Sequence, residues 1–408
     1  MAKINRTPRQ VRNMKTILSE RALQLKPSAT LAISAKEQEL KSQGVDVVGF
    51  GAGEPDFPTP EHIREAAKRS LDRGETFYTP VGGTVELKKA VVQRFAEDYG
   101  LEYTPAQIMV SCGAKHSLYN IFQAMIQPGD EVLVFAPYWV SYPEMIALAG
   151  GTPVIVPTSE ENRFVPEPQE VESRITSSTK AILINSPSNP TGVIYPRQVL
   201  EKLAELADKH DLLVISDEIY DKLVYDGHTS TPFAKLPGMK DRTILVNGVS
   251  KTYAMTGLRI GYLACTRTEL VKAATDIQSQ STSNPNSTAQ AAAVEALIGP
   301  QDEVKRMREI FERRRNLMVS EIAKIPQLSL VKPSGAFYAF VNTSKLCGKK
   351  DVADSTDVAR YLLERHHVAC VPGGPFGSED HIRLSFTTSE EMILNGLERI
   401  RAACAELT

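Results

Sequence analysis

The segment NGVSKTYAMTGLRIGY, residues 247–262, carries one lysine, Lys251, just past a short apolar run and eight residues ahead of an arginine, Arg259. A solvated surface lysine is the ordinary case, since lysines are mostly exposed. Other residues along the chain give this one a different reading. Gly113 and Ala114 open a helical pattern over Lys115–Met125, where first-turn N–H groups are free to hold an anion. Arg259 and Ser250 can add a guanidinium and a hydroxyl to the same anion, and a phosphate suits that set. Asp217 follows an apolar run, so a carboxylate buried there needs a cationic partner, unless it caps a helix. Tyr220 comes three residues later and lies near Asp217 if a helical turn starts there. Asn189, in SNPTG, is either an amide donor or a turn residue before proline. Trp139, the only tryptophan, stands in APYW at the end of a run, where it can offer a flat face to a planar ligand or pack in the core.

The elements that must position these residues read as stacked βα units. Apolar runs lie at 108–112, 131–135, 180–185, 212–216, 243–247 and 260–264. Most are apolar on both faces, which predicts an α/β fold with a largely parallel sheet covered by helices on both sides. An amphipathic pattern over 196–210 places Pro196 at the first helical position, with an apolar stripe at i, i+3, i+4 spacing. In an open α/β sheet, ligands bind beyond the carboxyl ends of the strands. Here five runs are followed by CGAKHS, APYWVSY, SPSNPTG, DEIY and GVSK. Polar, glycine-rich and aromatic groups thus gather at successive strand ends. A long charged helical pattern over 301–322 leaves that region. Runs at 335–342, 367–372 and 381–386, with helices at 354–366 and 389–405, predict a smaller α+β unit.

A chain of 408 residues exceeds one compact core of the usual size. The expected division is 1–60 for an N-terminal arm and part of a small domain, 61–300 for a large ligand-binding domain, and 301–408 for a linking helix and the rest of the small domain. A net charge of -2 offers no field for nucleic acid. No window approaches the ~18 apolar residues of a membrane helix. Five scattered cysteines without a C-x-x-C pair argue against disulfides or a zinc site and fit a reducing compartment, the cytoplasm. The first twenty residues, with no acidic residue before Glu20, read as an exposed basic arm in preference to a transit peptide.

A phosphate cradle, an acid for a buried cation, hydroxyl and amide donors, an aromatic plate and one lysine are what pyridoxal 5'-phosphate demands. GVSKTYAMTGLRIG (248–261) resembles the cofactor-attachment motif of the class I aminotransferases. GAGEPDFPTP (51–60), APYWVSYPE (136–144), NSPSNPTG (185–192), SDEIYD (216–221), PSGAFY (333–338) and HIRLSF (381–386) resemble the same family in the same order, from about Pro27 onward. The resemblance implies a fold-type I transferase. Such a protein is a homodimer whose large domain holds a mostly parallel seven-stranded sheet between helices, with a smaller α+β domain built from both chain ends. It implies that Lys251 forms a Schiff base, that Asp217 pairs with the pyridine nitrogen, and that Asn189 and Tyr220 bond the ring phenolate. Trp139 would stack on the ring, while Arg259, Gly113, Ala114 and Ser250 would hold the phosphate. Tyr78, in FYTPVGG, would cross to the partner's phosphate. Arg383 would take the substrate α-carboxylate, with Gly53, Trp139 and Asn189 also beside the substrate. The family's activity is ping-pong amino transfer, with Lys251 as the base at Cα.

The stretch QSQSTSNPNSTAQ (278–290) lacks the arginine that the best-known aspartate aminotransferases send to the partner's substrate. The chain resembles instead the bacterial and plant branch in which Lys115 and Thr30 occupy the positions that bind the distal carboxylate. A first-turn lysine facing water is the competing, less favoured reading of Lys115. The resemblance implies transfer from L-aspartate to 2-oxoglutarate, with prephenate as the alternative acceptor, alone or in addition. A β-lyase or decarboxylase remains the rival within the cofactor class. A dinucleotide-binding dehydrogenase would need G-x-G-x-x-G, and GAGEPD carries Pro55 where the helix should run. A non-catalytic regulator would have lost Lys251 or Asp217. No metal is called for.

Overall fold

The computed structural model describes residues 17–25, 29–349 and 352–408, without the side chains of residues 20, 24 and 29–31. Residues 1–16 of the expected basic arm lie outside the described residues, while Ile17 and Leu18 near its end are exposed. The first elements are α1 (Glu20–Gln24), α2 (Ala29–Ser42), β1 (Val48–Gly49), α3 (Glu61–Asp72) and α4 (Val85–Tyr99). There follow β2 (Ile108–Ser111), α5 (Ala114–Met125), β3 (Glu131–Ala136), α6 (Ser141–Leu148), β4 (Thr152–Pro157) and α7 (Pro168–Ser173). The middle of the chain forms β5 (Thr179–Asn185), α8 (Arg197–Lys209), β6 (Leu213–Asp217), β7 (Thr243–Gly248) and β8 (Gly261–Ala264). Then come α9 (Thr268–Ser281), α10 (Ser287–Ile298), α11 (Asp302–Ile322), β9 (Ser329–Leu330) and β10 (Tyr338–Asn342). The last are α12 (Ser355–His366), β11 (Val368–Ala369), β12 (Val371–Pro372), β13 (His381–Ser385) and α13 (Glu390–Leu407).

The large sheet has seven strands in the order β2-β8-β7-β6-β5-β3-β4. All neighbours are parallel except β8, which runs against both β2 and β7. Strands β2, β7 and β8 are buried along their whole length, as runs apolar on both faces require. Strand β4 is the one large-sheet strand absent from the apolar runs. Pro153 and Pro157 interrupt its pattern, and it sits at the sheet edge, where proline is tolerated. Helix α8 buries Leu200, Leu203, Ala204 and Ala207, the stripe its spacing predicts. Pro196, however, stands at the N-cap and not at the first helical position, because its ψ of 142° is extended.

The second sheet is antiparallel, in the order β12-β13-β10-β9, and β1 pairs in parallel with β11. Val48 and Phe50 share one core with Phe311, Phe337 and Leu384, so the residues around β1 pack with the C-terminal elements. Glu160, beyond β4, spans the two sheets by accepting from Asn342 Nδ2 at 2.6 Å and Ser329 Oγ at 3.0 Å. No helix among the described residues is long and apolar enough to cross a membrane.

Candidate active site

Strands β5, β6 and β7 are parallel neighbours, and their register sets Asn185 beside Asp217 and Asp217 beside Val246. Their carboxyl ends open on a cavity of about 560 Å³. Lys251, Asp217, Tyr220, Asn189, Trp139, Ala114, Lys115, Ser250, Arg259, Gly53 and Arg383 all line it. Gly113 is adjacent, against Arg259. One described candidate lies elsewhere, and another falls on α2, whose Ser34 and Gln38 line the cavity. Tyr78 is 92% exposed, and Thr30 lies in the first turn of α2 with its side chain outside the described residues.

The anion cradle is built by close backbone approach. Gly113 is the N-cap of α5 with φ +91°, and a Cβ there would stand 2.5 Å from Arg259 Nη2. A Cβ on Gly261 would reach 2.0 Å from Ala114 N. Only glycine allows the turn before α5 and the start of β8 to come together. The first-turn amides of α5 and the Arg259 guanidinium then meet at one point, which suits a phosphate. Arg259 itself holds φ +55°, unusual outside glycine, and its Nη1 donates to Thr256 O at 2.9 Å.

Asp217 ends β6 and caps no helix. It is 4% exposed, and it accepts from Tyr142 Oη at 2.7 Å and from the Ile219 N–H at 3.2 Å. Burial pushes its carboxyl up to about 6; the bonds from Tyr142 and Ile219 and the charge of Lys251 oppose that push. A carboxylate so placed favours a cationic partner within the cavity. Lys251 Nζ donates to Gly53 O at 2.5 Å. Burial pushes this ammonium down to about 8, the Glu54 carboxylate opposes that push, and Arg259 and Arg383 add to it.

Arg383, in the middle of β13, is 1% exposed. Its Nη1 donates to Asn189 Oδ1 and its Nη2 to Gly51 O, each at 3.0 Å, while Nε has no partner among the described residues. No carboxylate among the described residues pairs with this guanidinium. A buried, acid-free arginine facing a cavity is a receptor for an anion. Asn189 Oδ1 is thereby taken, which leaves the amide nitrogen as the end that donates. Lys115 is exposed over the residue as a whole, with Nζ 4.7 Å above the Trp139 ring. Burial of the group, and then the charge of Arg259, hold its ammonium below the usual lysine range.

Several cavity residues were not foreseen. Tyr142 meets Trp139 edge-on at 5.2 Å, and its place three residues after that tryptophan was the available signal. Glu54 accepts from Thr256 Oγ1 at 2.6 Å, and Tyr338 touches Tyr220; neither contact has any sequence period to betray it.

Residues 45–400 match the family model "Aminotransferase class I and II". The chain is 49% identical to the aspartate aminotransferase of Bacillus subtilis over 388 residues, 94% of this chain and 98% of that one. It is 47% identical to the aspartate/prephenate aminotransferase of Thermus thermophilus, covering 94% of this chain and 97% of the relative. A solved aspartate aminotransferase of Thermus thermophilus with maleate superposes with a TM-score of 0.90 at 46% identity, over 95% of this chain and 99% of that one. On motif order, fold and near full-length identity together, the chain belongs to the class I and II aminotransferases.

Proposed function

We propose that this protein is an aspartate aminotransferase that uses pyridoxal 5'-phosphate to move the amino group of L-aspartate to 2-oxoglutarate. One observation carries the reading. A lysine lowered to about 8 and an aspartate raised to about 6 face one cavity that also holds a buried arginine without an acidic partner. When bound, the cofactor supplies an aldehyde that condenses with amines and a ring that delocalises the electron pair left at Cα.

The residues present fit that group. Gly113, Ala114, Ser250 and Arg259 would hold its phosphate, Asp217 would keep the ring nitrogen protonated, and Trp139 would cover the ring. Asn189 and Tyr220 would donate to the ring oxygen. Lys251, once free, is neutral over much of the range above pH 8 and can take the proton from substrate Cα at Nζ. Arg383 grips the α-carboxylate with two parallel N–H donors, which fixes the Cα–H bond relative to Lys251. Gly53 supplies backbone beside that carboxylate. Lys115, with Thr30, meets the distal carboxylate of a dicarboxylic substrate. Residues 61–300 form the large unit and both chain ends the small one, in a homodimer to which Tyr78 contributes across the interface. Prephenate is the second oxo acid we assign, because similar relatives carry both names.

Purified protein loaded with the cofactor should change its absorbance spectrum on addition of L-aspartate and change back with 2-oxoglutarate. No response to any dicarboxylic amino acid would sink the reading. In the Lys115→Ala protein, kcat/KM for aspartate should fall by about tenfold or more while that for alanine changes little, the loss of one partly desolvated charge pair. Equal losses for both substrates would remove Lys115 from the specificity site.

A further inference from the structure

Among the segments that carry the family resemblance, PSGAFY (333–338) ends on a residue with no part in the chemistry above, Tyr338. It is the first residue of β10, 1% exposed, and it lines the cavity. Its ring lies under the Arg383 guanidinium, with Cζ 4.4 Å from the centroid. Its hydroxyl stands 2.9 Å from that of Tyr220, and a Cβ on Gly53 would come within 3.4 Å of the same oxygen. The pairing of β10 with β13 sets Phe340 opposite Arg383, so Tyr338 and Arg383 belong to adjacent strands of one antiparallel ladder.

We propose that Tyr338 is a positioning residue that ties the two arms of the site together: its ring supports the arginine that grips the substrate, and its hydroxyl orients the proton of Tyr220. The second part follows from hydroxyl chemistry and rests on the function proposed above. A phenol has one proton and two lone pairs. If Tyr220 gives its proton to the cofactor's ring oxygen, Tyr338 must be the donor in the tyrosine pair. Tyr220 is then held as a directed donor, and the negative charge on the ring oxygen is stabilised. The first part follows from the buried geometry, because the Arg383 guanidinium lies over the rings of both Tyr338 and Phe376, the latter 5.2 Å away, and these contacts hold it with no acidic partner among the described residues. The charged groups around the pair are Arg383 from β13, Asp217 from β6, and Lys251 and Glu54 across the cavity.

Two variants of the cofactor-loaded enzyme separate these contributions. Tyr338→Phe keeps the ring and removes the hydroxyl. The pH at which the absorbance of the bound cofactor titrates should rise by about half to one unit, the worth of one hydrogen bond, because the ring oxygen loses stabilisation of its charged form. Tyr338→Leu removes the ring as well. Its KM for aspartate should rise about tenfold above that of Tyr338→Phe, the loss expected for a desolvated cation–π contact. An unmoved titration midpoint in Tyr338→Phe overturns the proton-orienting role, and equal KM values in the two variants overturn the support of Arg383. If the Leu protein folds poorly, Tyr338→Met takes its place in the KM comparison, since it fills the space without an aromatic face, while the Phe variant alone decides the role of the hydroxyl. Wild-type enzyme without a spectral response to aspartate would overturn the function itself. A wild-type response beside a Phe variant that titrates like wild type overturns this inference alone.

Discussion

Lys251 and Asp217 are each disfavoured in their charged forms by the same burial that makes them useful. Asp217 in the folded protein titrates near 6 against an ordinary value of 3.8. The folded state therefore binds more protons than the unfolded one between those values, and stability falls as pH rises through that window. The full cost, on the order of 3 kcal/mol, is present above pH 6. Lys251 works in the opposite sense: its cost is present below about 8 and is relieved as pH rises toward 10.5. In protein stripped of cofactor, Asp217→Asn should raise the melting temperature at pH 7 by a few degrees and have little effect near pH 4, while abolishing transamination. Calorimetry at the two pH values checks this, and a lower melting temperature at pH 7 would contradict it. Lys251, Asp217 and Arg259 were legible because each falls at a strand end within a motif. Tyr142, Glu54 and Tyr338 also lie in motifs, but their roles were not legible, because the contacts of Tyr142 with Asp217, Glu54 with Thr256 and Tyr338 with Tyr220 cross between elements that only folding brings together.

At the scale of elements, the site depends on glycines more than on its charged residues. The β2–α5 turn and the start of β8 meet so closely that a methyl group at position 261 would overlap Ala114 N. Gly261→Ala must push the first turn of α5 away from Arg259, and the cofactor dissociation constant should rise by about a hundredfold or more, since several charge-assisted bonds are misaligned at once. Equilibrium dialysis with pyridoxal phosphate measures this; an unchanged constant would show that the amides of α5 do not hold the phosphate. Most strands of the large sheet were readable from continuous apolar runs. Strand β4 was missed because its prolines imitate a loop, and a run apolar on both faces does not reveal that β8 is antiparallel. The Pro196 position was off by one residue, since fixed φ leaves ψ free to be extended.

For the molecule as a whole, an exposed aromatic pair stands out. Phe77 is 82% and Tyr78 92% exposed, a costly display for a lone chain and an apt one for an interface. If Tyr78 completes the partner's phosphate site, two dead variants should rescue each other. Lys251→Ala and Tyr78→Ala proteins, unfolded and refolded together, should recover activity that neither shows alone, because one of the two sites in each mixed dimer has both residues. Absence of recovery in a verified mixed dimer would place Tyr78 outside the site. The pairing of β1 with β11 could not be read from sequence, since it joins residues 320 apart with two-residue strands. The reversal of β8 reaches further than topology. Elsewhere in the large sheet, helical segments separate many successive strands and can take up an added residue. Between β7 and β8 the chain turns back through residues 249–260 with only a 3-10 turn, Thr256–Leu258, and with Lys251 near one end and Arg259 at the other. That segment sets the spacing between Lys251 and Arg259, the proposed amine and the proposed phosphate anchor, both of which line the cavity. One inserted residue would lengthen it by up to about 3.5 Å, the span of a residue, enough to take one of the two groups out of reach of a ligand that the other holds.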